Sequence, residues 1–216
     1  SMAGFPASNL DGPSSYSNIA FIGGDTYPII IEKINKAKSY NQKIILMISP
    51  VFFVWQSIQL HADWQSRWSD VKNNIINPYN NDILGFYIMD EPYHNASTLI
   101  GDNPQKNNLM LEFSRTLNQI TNTVKTDYPN KIIATTFAYT ELKSNYIQQY
   151  GIPQNIDWIG VNCYVAFGGE CTDSLVINYY NTLANLKKPH QKFMMTMDAY
   201  TGQATCNVSN SVETNI

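Results

Sequence analysis

Two carboxylates stand out in this chain by their immediate surroundings. Glu91 closes the stretch Ile83 to Pro92, "ILGFYIMDEP", in which seven mostly apolar residues run into Asp90, Glu91 and a proline. Asp198 closes "KFMMTMDAY", a second apolar run far along the chain. A pair of acids delivered to one place can act as general acid/base and as nucleophile or second base, the minimum machinery for cleaving a glycosidic bond. The competing reading is ordinary for both: Glu91 as a solvated residue before a turn-forming proline, Asp198 as a helix cap or Asx turn.

Whether they meet depends on the elements that carry them. Residues 1 to 17 are rich in Ser, Pro and Gly, lack periodicity and read as an irregular lead-in, with Ser1-Met2 as a remnant of tag removal. Residues 18 to 216 read as a single barrel-like domain. Apolar runs at 18–24, 43–49, 83–90, 131–139, 156–164 and 192–200 alternate with amphipathic segments at about 27–41, 62–76, 105–127, 141–149 and 173–187. Apolar strands separated by helices are the pattern of a parallel sheet covered on its faces, so the class is α/β. Gly23-Gly24-Asp25 completes neither a dinucleotide fingerprint nor a P-loop, which weakens a nucleotide-binding open sheet.

Polarity along the strands is asymmetric. Lys43, Lys131 and Lys192 stand at strand beginnings, whereas the ends carry Ser49-Pro50, Asp90-Glu91, Thr135-Thr136, Asn162-Cys163-Tyr164 and Asp198 with Tyr200. In parallel α/β folds the carboxyl ends share one rim, where ligands bind. Trp55, Tyr93, Tyr139, Tyr164, Phe167 and Tyr200 follow strand ends, and their flat faces suit sugar rings, although each taken alone is more often packing. Trp64 and Trp68, four apart on an expected helix, are read as packing against the sheet.

Other chemistries fit poorly. His61, His94 and His190 are isolated, no C-x-x-C or histidine pair accompanies Cys163, Cys171 and Cys206, and no metal or cofactor is expected. Strand lysines begin their strands, against a Schiff-base enzyme. No G-x-S-x-G occurs. A net charge of -3, with 14 Lys plus Arg scattered singly, lacks the footprint of a nucleic-acid binder. No apolar run reaches the roughly 18 to 20 residues of a membrane span. Cys171 and Cys206 fall in expected loops and could pair. The triplets Asn95-Ala96-Ser97 and Asn207-Val208-Ser209 lend weak support to export, so a secreted or periplasmic location is the expectation.

The strand "ILGFYIMDEP" resembles the fourth strand of clan A glycoside hydrolases, (β/α)8 enzymes whose acid/base glutamate ends that strand in Asn-Glu-Pro. "IDWIGVNCY" is similar to their sixth strand, and "FMMTMDAYTG" takes the place of the seventh, where the nucleophile stands. The resemblance implies a (β/α)8 barrel, a carbohydrate substrate or ligand, Glu91 as acid/base and Asp198 as nucleophile. It further implies Tyr164 as a rim residue that hydrogen-bonds near the nucleophile; with Asp90, Tyr93, Asn162, Trp55 and Tyr200, read from their places at or after strand ends, it completes the expected substrate-binding set.

Three departures accompany it. Asp90 replaces an Asn that orients the sugar's 2-hydroxyl, and its charge beside Glu91 should raise the glutamate's pKa. Asp198 replaces a Glu and is one methylene shorter, which bears on whether the acids stand about 5 to 5.5 Å apart, for retention, or about 6.5 to 9.5 Å apart, for inversion. Strands one and eight have no counterpart in 216 residues, and about 250 are usual for the barrel. A fragment, missing residues and an open sheet all accommodate that count. The shorter acid also keeps open a barrel that binds carbohydrate without cleaving it.

Overall fold

The structure, a computed structural model, describes residues 17–24, 26–163 and 171–195. Its described strands are β1 (Ile19–Ile22), β2 (Lys43–Met47), β3 (Ile83–Asp90), β4 (Ile132–Ala138), β5 (Trp158–Asn162) and β6 (Lys192–Phe193). They form one parallel sheet in sequence order, β1-β2-β3-β4-β5-β6. That order decides between the two α/β architectures. A doubly wound sheet reverses strand order at a switch point, whereas consecutive parallel neighbours are the order of a (β/α) barrel. Of the last expected strand only residues 192–195 are described, and of these Lys192–Phe193 are in strand geometry.

The helices are α1 (Tyr27–Ser39), α2 (Ser49–Phe52), α3 (Trp64–Val71), α4 (Pro92–Ile100), α5 (Lys106–Asp127), α6 (Tyr139–Lys143), α7 (Tyr146–Tyr150) and α8 (Asp173–Leu186). Two of them lie where the sequence pattern suggested loops. Ser49-Pro50, placed at a strand end, opens α2, and Pro92, read as turn-forming, opens α4, because proline is well suited to the first turn of a helix. The described residues group into two units, one within Ser1–Met89 and Arg115–Ala134, the other within Asp90–Ser114 and Thr135–Ile216.

In the first unit, β2 pairs with β1 and β3 in parallel register, and Ile44, Ile45 and Leu46 are all buried. Burial of successive residues means that both faces of the strand are covered, as the continuous apolar run requires. Gly85 of β3 lies against Ile132, whose carbonyl a Cβ would strike. α3 continues into a π-helical turn (Lys72–Ile76) and sends Trp68 onto the sheet, with ring centroids 5.2 Å from Phe52, 6.1 Å from Phe86 and 6.0 Å from Tyr128. The strand-start lysines bind carbonyls at the amino ends of the strands: Lys43 Nζ donates to Asn81 at 3.0 Å and Lys131 Nζ to Ile83 at 2.6 Å.

In the second unit, β5 pairs in parallel with β6, and the Met194 N–H donates to the Ile159 carbonyl at 2.8 Å. Gly160 permits the approach, since a Cβ there would stand 2.5 Å from the Met194 oxygen. Tyr93 anchors this unit's core, with its ring centroid 6.4 Å from that of Phe137, stacked, and 6.2 Å from that of Phe113, edge-on. A disulfide joins Cys163 to Cys171. This corrects the expected Cys171 pairing: the partner comes from the end of β5, and Cys206 lies outside the described residues.

Candidate active site

The carboxyl end of β3 delivers Asp90 and Glu91 into a hydrogen-bonded cluster wholly within the second unit. Thr136 of β4 donates its hydroxyl to Asp90 Oδ1 at 2.7 Å. Asn162, the last residue of β5, reaches both acids with one amide group: Nδ2 stands 3.0 Å from Asp90 Oδ1 and 3.1 Å from Glu91 Oε1. The Glu91 N–H donates to the Thr136 carbonyl at 2.9 Å. Three consecutive strand ends are thus tied around the acid pair: of the polar strand ends read in the sequence, those of β3, β4 and β5 meet here.

Glu91 is held in an uncommon conformation. Its φ of 44° and ψ of 55° are left-handed, which for a non-glycine residue costs on the order of 1 to 3 kcal/mol and persists only where the surroundings enforce it. Pro92 fixes the next residue, and α4 starts there. The half-buried carboxyl has its pKa raised: burial is the main cause and the charge of Asp90 adds to it, while the Asn162 N–H and His94 pull the other way. The influence of Asp90 follows the sequence expectation, but desolvation outweighs it.

Tyr93 requires a correction. Expected as a rim platform, it is 0% exposed, and its hydroxyl donates to the Gly151 carbonyl at 2.6 Å. It follows Pro92 into the first turn of α4, which turns the ring into the core. Asn162 also moves from its expected role. It is 4% exposed and its amide is spent on the two acids, so it orients them from beneath. Tyr139, half-buried, pairs with Tyr179 of α8 at 5.8 Å. Trp55, in the first unit, is 66% exposed. Tyr164, Phe167, Asp198 and Tyr200 lie outside the described residues.

Glu141 was not anticipated. Its Oε1 accepts the N–H groups of Tyr93 at 2.6 Å and His94 at 3.0 Å, and its Oε2 accepts the N–H of Ala138. Burial pushes its pKa up to about 8, with the Glu91 charge adding to the rise, against the three N–H groups that favour the ionised form. A signal was available: an acid three residues into a helix reaches back to the N-cap N–H in a capping box. It was weak because Ala138, at the N-cap, supplies no side-chain oxygen. His94 Nδ1 stands 3.1 Å from Thr140 Oγ1, fixing the imidazole beside the same turn.

No family model and no curated protein sequence matches the chain. Among solved structures it is similar to a Bacteroides uniformis β-glucuronidase covalently bound to a cyclophellitol-6-carboxylate aziridine, with a TM-score of 0.57 and 16% identity. That likeness covers 87% of this chain and 21% of the enzyme. It is also similar to a psychrophilic glycoside hydrolase family 10 endo-β-1,4-xylanase, with a TM-score of 0.55 and 10% identity, over 91% of this chain and 73% of the xylanase. The chain therefore spans about a fifth of the glucuronidase and most of the xylanase. Its α/β fold is that of TIM-barrel glycoside hydrolases.

Proposed function

We propose that the chain carries the acid/base half of a glycoside hydrolase site, cleaving O-glycosidic bonds of an oligo- or polysaccharide. The observation that carries this reading is Glu91 itself. It is a half-buried glutamate with a raised pKa, in a strained left-handed conformation, at the carboxyl end of a parallel strand and oriented by Asn162. A raised pKa keeps a carboxyl protonated closer to neutral pH, as donating a proton to a leaving glycosidic oxygen requires. The fold shared with glycoside-cleaving enzymes supports the assignment of substrate class.

In this mechanism Glu91 protonates the departing oxygen, and Asp198, placed by the sequence resemblance, is the second carboxylate. Asp90, bonded to Thr136 and Asn162, holds its charge against Glu91 and takes the position from which a sugar hydroxyl is contacted. Trp55, Tyr164 and Tyr200 are the proposed sugar-stacking or hydrogen-bonding groups. The Cys163–Cys171 disulfide supports an oxidising compartment, hence export.

The test is Glu91→Gln assayed on a phenyl glycoside, whose leaving group needs the proton. Turnover should fall by about a hundredfold to ten-thousandfold while oligosaccharide binding persists. Equal activity in mutant and parent removes Glu91 from the chemistry. A full-length protein that binds oligosaccharides but hydrolyses none of a broad panel is instead a carbohydrate-binding barrel, the reading that the shorter Asp198 motivates.

A further inference from the structure

The first turn of α4 raises a problem that the hydrolase reading leaves open. A helix begins with N–H groups that have no partner inside it, and the residue before the helix ordinarily folds its side chain back to accept from the second or third of them. Here that residue is Glu91, and its side chain makes no cap hydrogen bond. It turns to Asn162 instead. The N–H groups of Tyr93 and His94 are taken by Glu141, which belongs to a different helix and is 0% exposed.

We propose that Glu141 is a positioning residue for Glu91: by occupying the two N–H groups that a glutamate at the N-cap would otherwise seek, it leaves the Glu91 carboxyl free to stand at the rim. The inference rests on Glu91 being the general acid. Glu91 is then held at three points: its own N–H by Thr136, its carboxyl by Asn162, and the two residues after Pro92 by Glu141. A buried carboxyl is a costly cap compared with a serine or threonine hydroxyl. The longer reach of a glutamate is what lets a single side chain hold α6 at Ala138 and α4 at Tyr93 and His94 together.

Removing Glu141 from α4 gives the N–H groups back to Glu91, which would swing onto the helix and away from the leaving group. A helix cap with no further role would show only in stability. The loss caused by a misplaced general acid has a different signature, because it grows with how badly the leaving group needs a proton.

In the full-length protein, kcat/KM of Glu141→Gln and Glu141→Asp would be measured on a 2,4-dinitrophenyl glycoside and on the phenyl glycoside of the same sugar, beside Glu91→Gln. Aspartate keeps the carboxyl group and stays near Ala138 but falls a methylene short of α4, so the two variants perturb folding differently. Both should lose about thirtyfold or more on the phenyl glycoside and less than about threefold on the dinitrophenyl one, whose leaving group departs without protonation. Equal losses on the two substrates in the Glu141 variants, with leaving-group dependence retained in Glu91→Gln, overturn this inference alone. Absence of that dependence in Glu91→Gln overturns the proposed function as well.

Discussion

Asp127 in the first unit and Glu91 in the second are both carboxylates partly withdrawn from water, and their surroundings push them in opposite directions. Asp127 Oδ2 accepts from Lys72 Nζ and from the Trp68 indole N–H, each at 2.7 Å. Those bonds hold its pKa below the usual range, the lysine being the main cause. Glu91 has a neutral amide for a hydrogen-bond partner and another carboxylate beside it, and burial raises it. Asp127 ends a regular helix, whereas Glu91 occupies a left-handed backbone position. An acid bonded to a lysine serves the fold; the acid bonded to a neutral amide, in a conformation that the chain must enforce, is the one on which the proposed function rests.

The contrast can be broken most decisively at Glu91, where the Gln substitution should remove at least about a hundredfold of turnover while the thermal midpoint changes little. Asn162→Ala comes next. It deletes a hydrogen bond to a charged group from each acid, typically about 1.5 to 3 kcal/mol, which corresponds to a loss of about tenfold to a hundredfold in kcat/KM. The sign of its pH effect follows from the same bond. Asn162 lowers the Glu91 pKa, so without it that pKa rises further. A general acid acts while protonated, so the alkaline limb of the rate profile should move to higher pH; a shift downward would assign the limb to another group.

A smaller effect tests the strain. Glu91→Gly and Glu91→Ala should both be inactive, but the glycine variant should be more stable by about 1 kcal/mol in urea unfolding, because only alanine is penalised for the left-handed position. Equal stabilities would mean that the backbone relaxes there. The smallest change is expected at Asp127→Asn. It keeps an acceptor for Trp68, loses the partly exposed ion pair to Lys72, and should cost about 0.5 to 1 kcal/mol with activity unchanged. Activity that tracked Asp127 would erase the distinction drawn between the two acids.

Most of the scaffold could be read from the chain because it follows from periodicity. Apolar runs long enough to be buried on both faces, each followed by an amphipathic segment, specify parallel strands and their covering helices. The asymmetry of lysine at strand starts and polar groups at strand ends marked which rim to inspect. Asp90, Glu91, Thr136 and Asn162 were all identifiable by position, and they meet. What misled was local: Pro92 signals a turn and a helix start equally well, so α4 was missed, and with it the burial of Tyr93. Cys171 has two candidate partners in the sequence, and loop membership alone cannot rank Cys163 against Cys206.

The amino-acid sequence by itself determined the alternation of strand and helix, the adjacency of Asp90 and Glu91, and the arrival of both at a strand's carboxyl end, since these depend on residues near one another along the chain. Only the tertiary structure decided the order of the strands in the sheet, the Asn162 amide shared between the two acids, and the capture of the first turn of α4 by Glu141. Each of these joins segments separated by whole elements, and hydrogen-bond geometry of a few tenths of an ångström is not encoded in spacing.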